Sequence, residues 1–100
     1  MKRLILVAAL VAAPCNGAVV QGVGASSCAT AFAPERKFEL GPWVWGFWSG
    51  MNAATNSSVG ESTDPAGVLG EVELFCRDHP SQTLAQAAFT TYLRLRAEKR

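Results

Sequence analysis

The sequence predicts a small all-α protein: a bundle of three to four helices, cross-linked by one disulfide and preceded by a cleaved signal peptide. Three observations support this fold class. The chain begins with a leader free of acidic residues, three later segments have the apolar period of helices, and two cysteines follow the leader. We therefore divide the chain into a signal peptide over residues 1–25 and a single helical domain over residues 26–100.

The leader has the parts of a secretory signal peptide. Met1-Lys2-Arg3 supplies positive charge, Leu4 to Ala13 forms an apolar run, and Pro14 breaks that run. The small residues that follow allow cleavage anywhere from 17 to 25. The alternative is a membrane anchor, which needs roughly 20 mostly apolar residues. Since the run is half that length, we expect a periplasmic or secreted protein with no stable membrane anchor after cleavage.

The cysteine count supports export. Cleavage removes Cys15 and leaves Cys28 and Cys76, which usually pair in an oxidising compartment. Lipidation of Cys15 would need a small residue where Pro14 stands. The expected bridge closes a loop of 49 residues, and such a loop stabilises a small domain by about 4 kcal/mol on the chain-entropy account. The alternative, two buried free thiols in a cytosolic protein, would require another role for the leader.

The first helix is expected to open at Gly41-Pro42, because proline is tolerated in the first helical position. Its core face is wide and aromatic, with Trp43, Val44, Phe47, Trp48, Met51 and Ala54. The opposite face has only small residues, Gly46, Ser49, Gly50 and Ala53. Another helix or the N-terminal segment could therefore approach the backbone closely there. Trp45 and Asn52 fall between the two faces.

Clear breaks separate the other two helices. The stretch 56–67 is expected to form a loop that ends in a helix start, with Asp64 as N-cap and Pro65 in the first turn. His79-Pro80 ends this middle helix, and Ser81 is the expected cap of the next. The inward residues are Val68, Leu69, Val72, Phe75, Cys76 and His79 on the middle helix, and Leu84, Ala85, Ala88, Phe89, Tyr92 and Leu95 on the last. A bridge from Cys28 would tie the N-terminal segment to the middle helix.

Catalytic and metal-binding patterns are absent from the sequence. A zinc site needs several His or Cys ligands at close spacing, and a serine nucleophile needs a base and an orienting group. His79 is the one histidine, and its place beside Pro80 favours a structural role. A small hydrolase that uses His79 is the minor alternative. We therefore expect a protein that is not an enzyme and has no metal or cofactor.

Charge gives a weaker indication. From Ser26 onward the chain has seven basic and eight acidic residues, a net charge of −1 that does not suggest nucleic-acid binding. The last seven residues nevertheless have a net charge of +3, from Arg94, Arg96, Lys99 and Arg100 against Glu98. Basic residues complement the dipole of a helix C-terminus; the alternative is a docking patch.

The aromatic cluster gives the main indication of binding. Three tryptophans fall within six residues, and most of them are expected in the core. Trp45 is the one expected at the surface, where tryptophan is favoured as an interface anchor. Asn52 could add a polar contact, and Glu61 and Asp64 an acidic patch. We expect these four residues to bind a protein partner; a homodimer is left open.

The chain also resembles a known group. Cys28, the run from Trp45 to Asn52, and the run from Leu74 to Pro80 followed by Leu84 and Ala87-Ala88 are similar to the pattern of small exported bacterial helical proteins. These are related to the Rap/Tai immunity proteins and, more distantly, to the HdeA acid-stress chaperones. The resemblance spans residues 28–95. It implies an inhibitor or immunity partner of peptidoglycan amidases delivered by type VI secretion, or alternatively an HdeA-like periplasmic chaperone active in acid. The predicted function is therefore that of an exported, non-catalytic protein-binding module.

Overall fold

The computed structural model describes residues 19–100 and has an all-α architecture in this range. Its four helices are α1 (Cys28–Ala31), α2 (Lys37–Thr55), α3 (Pro65–Asp78) and α4 (Leu84–Ala97). The predicted helical bundle is thus confirmed. Residues 1–18 of the predicted signal peptide lie outside the described residues. None of the helices in residues 19–100 combines the length and the apolar content that a bilayer crossing requires.

The core lies where α2, α3 and α4 meet. Its largest fully buried side chains are Tyr92, Leu84, Leu95, Val44 and Val72. Trp48 of α2 packs edge-on against Tyr92 of α4, with ring centroids 5.1 Å apart and an interplanar angle of 69°. This edge-to-face arrangement is favoured because the positive edge of one ring meets the negative face of the other.

The disulfide joins α1 to α3 as predicted. Cys28 and Cys76 form the bridge, their Cα atoms are 5.3 Å apart, and both residues are buried. Backbone hydrogen bonds hold the same region, since Leu84 donates to the carbonyl of Ser26 and Cys28 donates to that of Gln82. The short α1 is therefore fixed by covalent and backbone contacts rather than by its own four residues, which are too few to form a stable helix alone.

Residues 21–25 pack onto the bundle. The indole N–H of Trp43 donates to the carbonyl of Gln21 at 2.8 Å, and Val23 is buried. A Cβ atom on Gly24 would overlap the Trp43 ring, so this close approach requires glycine. The packed region thus extends N-terminal to residue 26, the predicted start of the helical domain.

The start of α2 differs from the prediction. The helix begins at Lys37, and Pro42 lies inside it rather than in its first turn. An interior proline cannot donate the hydrogen bond that would go to the carbonyl four residues earlier, here that of Phe38. Since Phe38 is 94% exposed, water is available to this carbonyl.

Two predictions about the faces of α2 are also wrong. Ala54 is exposed rather than buried, because it lies in the last turn, just before Asn56 takes a left-handed conformation and ends the helix. Within residues 19–100 no element covers the face of small residues: Gly46, Ser49, Gly50 and Ala53 are all exposed. An added Cβ on Gly46 or Gly50 would meet nothing within 4 Å.

At the N-terminal ends of α3 and α4, one predicted cap is confirmed and the other is wrong. Asp64 caps α3 as predicted, its Oδ1 accepting from the Gly67 N–H at 2.8 Å. The cap of α4 is Thr83 rather than Ser81, because Thr83 forms a reciprocal capping box with Gln86. Phe89, expected in the core, is 44% exposed.

Candidate functional site

A groove between α2, the following loop and the start of α3 brings together the four residues predicted to contact a partner. Trp45, Asn52, Glu61 and Asp64 all line it, and its volume is about 300 Å³. We call it the α2–α3 groove. Sequence reasoning selected these residues separately, on aromatic and charge grounds, and the fold places them around one depression.

Trp45 forms one wall of the groove. The residue is 37% exposed, and its indole N–H donates to the carbonyl of Pro65 at 2.8 Å. The ring also lies against the backbone of Gly41, where a Cβ would come within 2.9 Å of its edge. Since the polar N–H is already bonded across the groove, the exposed part of Trp45 is an apolar ring in a fixed orientation.

Asn52 lies at the floor of the groove, and its side chain makes hydrogen bonds within the protein. Its Nδ2 donates to the carbonyl of Val59 at 3.1 Å, and its Oδ1 accepts from the Val59 N–H at 3.0 Å and the Tyr92 hydroxyl at 2.8 Å. The Val59 carbonyl also accepts from the Trp48 indole N–H at 2.8 Å. We call these four residues the Asn52 network. They fasten the loop to α2 and α4, so the amide of Asn52 is occupied within the protein.

Val59 is the site residue that sequence reasoning missed. It lies within a polar loop, yet its side chain is buried, and both its backbone polar groups bond to α2. A valine between Ser58 and Gly60 was the one available signal, since an apolar residue in a polar loop often fills a pocket in the core.

Glu61 and Asp64 give the groove its charge. Both are exposed, and among residues 19–100 they are the only charged residues in its lining. Asp64 uses one carboxylate oxygen to cap α3 and keeps the other free of protein partners in the described range. Glu61 makes no ion pair within residues 19–100. The groove therefore presents an aromatic wall beside two carboxylates.

A cluster of ion pairs beside the loop joins the middle of α3 to the C-terminal end of α4 and the residues after it. Glu71 pairs with both Arg94 and Arg100, and Glu98 pairs with the same two arginines. The hydrogen bond from Arg94 holds the pKa of Glu71 below its ordinary value, and Arg100 does the same for the pKa of Glu98. The backbone carbonyl of Arg100 in turn accepts from the Gly60 N–H and the Ser62 hydroxyl. The loop is thus held both by the Asn52 network and by the backbone of Arg100.

His79 lies away from the groove, at the end of α3. Its Nδ1 is 3.0 Å from the carbonyl oxygen of Phe75, and its ring stacks on the Phe75 ring with centroids 4.1 Å apart. These contacts are those of a helix end. In the part of the chain that the structure describes, no group of three or more His, Cys, Asp or Glu residues is arranged to hold a metal ion.

Comparisons with known proteins found no similar protein. No family model matches the chain, and no curated protein and no solved structure is significantly similar to it. The case for a function therefore depends on the residues of the chain itself.

Proposed function

We propose that this protein is an exported, non-catalytic protein-binding module that acts through the α2–α3 groove, in the manner of an inhibitor or immunity protein. The observation that carries the proposal is the groove itself. It joins an exposed tryptophan ring, Trp45, to the carboxylate of Glu61, which makes no ion pair within residues 19–100, on a scaffold that is fixed before binding. Tryptophan in such a position is the commonest type of interface hot spot.

Charge complementarity supports a basic segment of the partner as the occupant. In the part of the chain that the structure describes, the charged residues of the lining are Glu61 and Asp64, both acidic. An indole face beside carboxylates attracts a lysine or arginine side chain through both the ring quadrupole and the opposite charge. The partner is therefore expected to insert a cation against Trp45.

The site is rigid, which favours tight binding. Trp45 is held by Pro65, and the loop is held by the Asn52 network. An immobilised side chain loses about 0.5–1.5 kcal/mol of conformational free energy on binding. Because these groups are already ordered in the free protein, binding adds little further loss of conformational entropy.

Partner binding is tested by photo-crosslinking and then by affinity. A photoreactive amino acid at position 49, on the groove, captures the partner in cells, and the purified pair is measured by calorimetry. We expect Trp45→Ala to weaken binding about thirtyfold, the loss of a hot spot of about 2 kcal/mol, and Glu61→Gln to weaken it several-fold. The matched controls are Phe38→Ala, an exposed aromatic on the same helix, and Glu73→Gln on α3. Unchanged affinity in both groove variants refutes the proposal.

Export is tested by the intact mass of the protein from the periplasm, with and without reduction and alkylation. Gln21 and Val23 contact the bundle, which supports cleavage at the early end of the range 17–25. We expect a chain that begins before Gln21, with two thiols that are alkylated only after reduction. A full-length chain with free thiols would contradict export.

One observation favours the second candidate, an HdeA-like chaperone active in acid. Glu71 links α3 to the end of α4 through Arg94 and Arg100, Glu98 pairs with the same two arginines, and both carboxylates lose their charge in acid. Large apolar side chains are also exposed on three helices, namely Phe38, Leu74, Phe89 and Leu93. The candidate requires loosening of tertiary structure near about pH 3, measured by near-ultraviolet circular dichroism, and suppression of aggregation of a client protein at that pH. A protein that stays folded and inactive there excludes it.

A further inference from the structure

The loop between α2 and α3 lines a second pocket as well as the α2–α3 groove, and the two pockets differ in charge. The second pocket has a volume of about 300 Å³ and is lined by the loop and by the C-terminal end of α4. The residues that set it apart from the groove are the cations Arg96 and Lys99, and we call it the basic pocket. Ser58, Val59 and Glu61 line both depressions.

Two of the cations that line the basic pocket, Arg96 and Lys99, lack carboxylate partners in the described range. The third cation in the lining, Arg100, is held by Glu71 and Glu98. Arg96 and Lys99 make no ion pair and no side-chain hydrogen bond within residues 19–100, and residues 1–18 contain no Asp or Glu. Basic residues at a helix C-terminus complement its dipole wherever they point. Here they also line a concave surface, beside a serine hydroxyl.

We propose that the basic pocket binds a carboxylate side chain of the partner segment whose cation occupies the α2–α3 groove. This inference rests on the proposed function. The segment has both charges, because the two pockets share a wall and a short stretch of chain can reach both. Its carboxylate accepts from the Arg96 guanidinium, the Lys99 ammonium and the Ser58 hydroxyl, which are donors of the types that bind carboxylates.

Glu61 favours a carboxylate over a phosphate. Its own carboxylate lines the basic pocket, so a ligand anion is repelled in proportion to its charge. A singly charged carboxylate meets less repulsion than a phosphate with nearly two charges. The cation on the same segment lies on the other side of the wall and offsets the charge of Glu61.

The test uses capped peptides and nuclear magnetic resonance of the oxidised protein. One peptide has a lysine and a glutamate separated by two glycines; two further peptides replace either the lysine or the glutamate with glutamine. The Trp45 indole N–H signal reports on the groove, and the Lys99 amide reports on the basic pocket. We expect the lysine–glutamate peptide to shift both signals and to bind more tightly than either glutamine peptide.

Variants assign the carboxylate contact. We expect Arg96→Gln/Lys99→Gln to weaken the lysine–glutamate peptide about three- to tenfold, as for partly exposed ion pairs, and to leave the lysine–glutamine peptide unchanged. Arg77→Gln, an exposed arginine on α3, is the matched control. Equal affinity of wild-type protein for the lysine–glutamate and lysine–glutamine peptides overturns the inference while leaving the proposed function intact.

Two other outcomes separate the alternatives. If inorganic phosphate shifts the Lys99 amide at concentrations where the glutamate peptides do not, the pocket is a phosphate site and the inference is wrong. If no lysine-containing peptide shifts the Trp45 indole signal, the cationic occupant of the groove is wrong. The Lys99 response to the glutamine–glutamate peptide then still decides whether the basic pocket takes a carboxylate.

Discussion

Replacement of Asn52 by alanine should destabilise the fold far more than a typical substitution of a polar residue beside a surface groove. The side chain accepts from the Val59 N–H and the Tyr92 hydroxyl and donates to the Val59 carbonyl. All three hydrogen bonds are lost in Asn52→Ala. The loop between α2 and α3 then keeps only the Trp48 indole bond to the Val59 carbonyl within the Asn52 network.

The expected cost follows from which groups lose every partner. The Val59 carbonyl keeps Trp48, and the Tyr92 hydroxyl keeps the Thr55 hydroxyl at 3.2 Å. The Val59 N–H has no other acceptor in the described range, and an unsatisfied buried N–H costs about 1–3 kcal/mol. With about 1 kcal/mol for the remaining bonds, we expect Asn52→Ala to lower the free energy of unfolding by about 2–4 kcal/mol. That is a large part of the stability of a domain of this size.

Urea unfolding with the disulfide intact, followed by circular dichroism, measures this cost. Tyr92→Phe alone should cost about 1 kcal/mol, and the double variant should cost less than the sum, because the two side chains share a hydrogen bond. Ser49→Ala, exposed on the same helix, is the control and should fall within about 0.5 kcal/mol of wild type. A loss in Asn52→Ala no larger than in Ser49→Ala, or strict additivity with Tyr92→Phe, would show that these hydrogen bonds do not stabilise the fold.

Two further predictions concern α3 and α4. Thr91→Val should raise the free energy of unfolding by about 1 kcal/mol, because the buried Thr91 hydroxyl has no hydrogen-bond partner in the described range; thermal unfolding measures it, and a loss of stability would show that the hydroxyl is satisfied. Glu71→Gln should cost about 1 kcal/mol or less at neutral pH, the range of a partly exposed ion pair with Arg94. The folded-state pKa of Glu71 lies below its ordinary value of 4.5, so this stabilisation is present above that value and is lost as the pH falls through the lowered pKa. Urea unfolding at neutral and acid pH checks it against Glu73→Gln, and a difference from wild type that persists in strong acid would contradict it.

The disulfide and one helix cap were accessible from sequence because each depends on local or countable features. Cys28 and Cys76 are the pair that remains when the leader is set aside, and the fold joins them. Asp64 followed by Pro65 is a strong local start signal, and the carboxylate caps α3. Neither prediction required knowledge of tertiary packing.

The wrong predictions share a dependence on neighbours. Whether Phe89 is buried depends on a rotation of α4 by about one residue, and the observed inward stripe includes Ala87 and Thr91 instead. Ser81 and Thr83 are both able to cap a helix, and Gln86 decides between them by completing the capping box. Sequence periodicity identifies a face to within about one residue, which is too coarse for either choice.

The role of Asn52 was beyond sequence reasoning for a different reason. Its partner Tyr92 lies 40 residues away, and nothing local distinguishes an asparagine that bonds across the bundle from one that faces solvent. Its intermediate position on the helical wheel favoured a surface role. The fold instead places it at the floor of the groove, where its amide bonds to Val59 and Tyr92.

The separation between the floor and the rim of the groove has a consequence for specificity. The floor consists of the Asn52 network, whose members are bonded to one another. The exposed charges around it are Glu61 and Asp64, which line the groove, and Arg96 and Lys99, which line the basic pocket on the other side of the loop. Together these four residues form the rim. Since exposed charges without close partners contribute little to stability, Glu61, Arg96 and Lys99 can change without loss of the fold. A protein of this architecture can therefore be adapted to a partner of different charge by substitution at the rim alone, provided that the floor is retained.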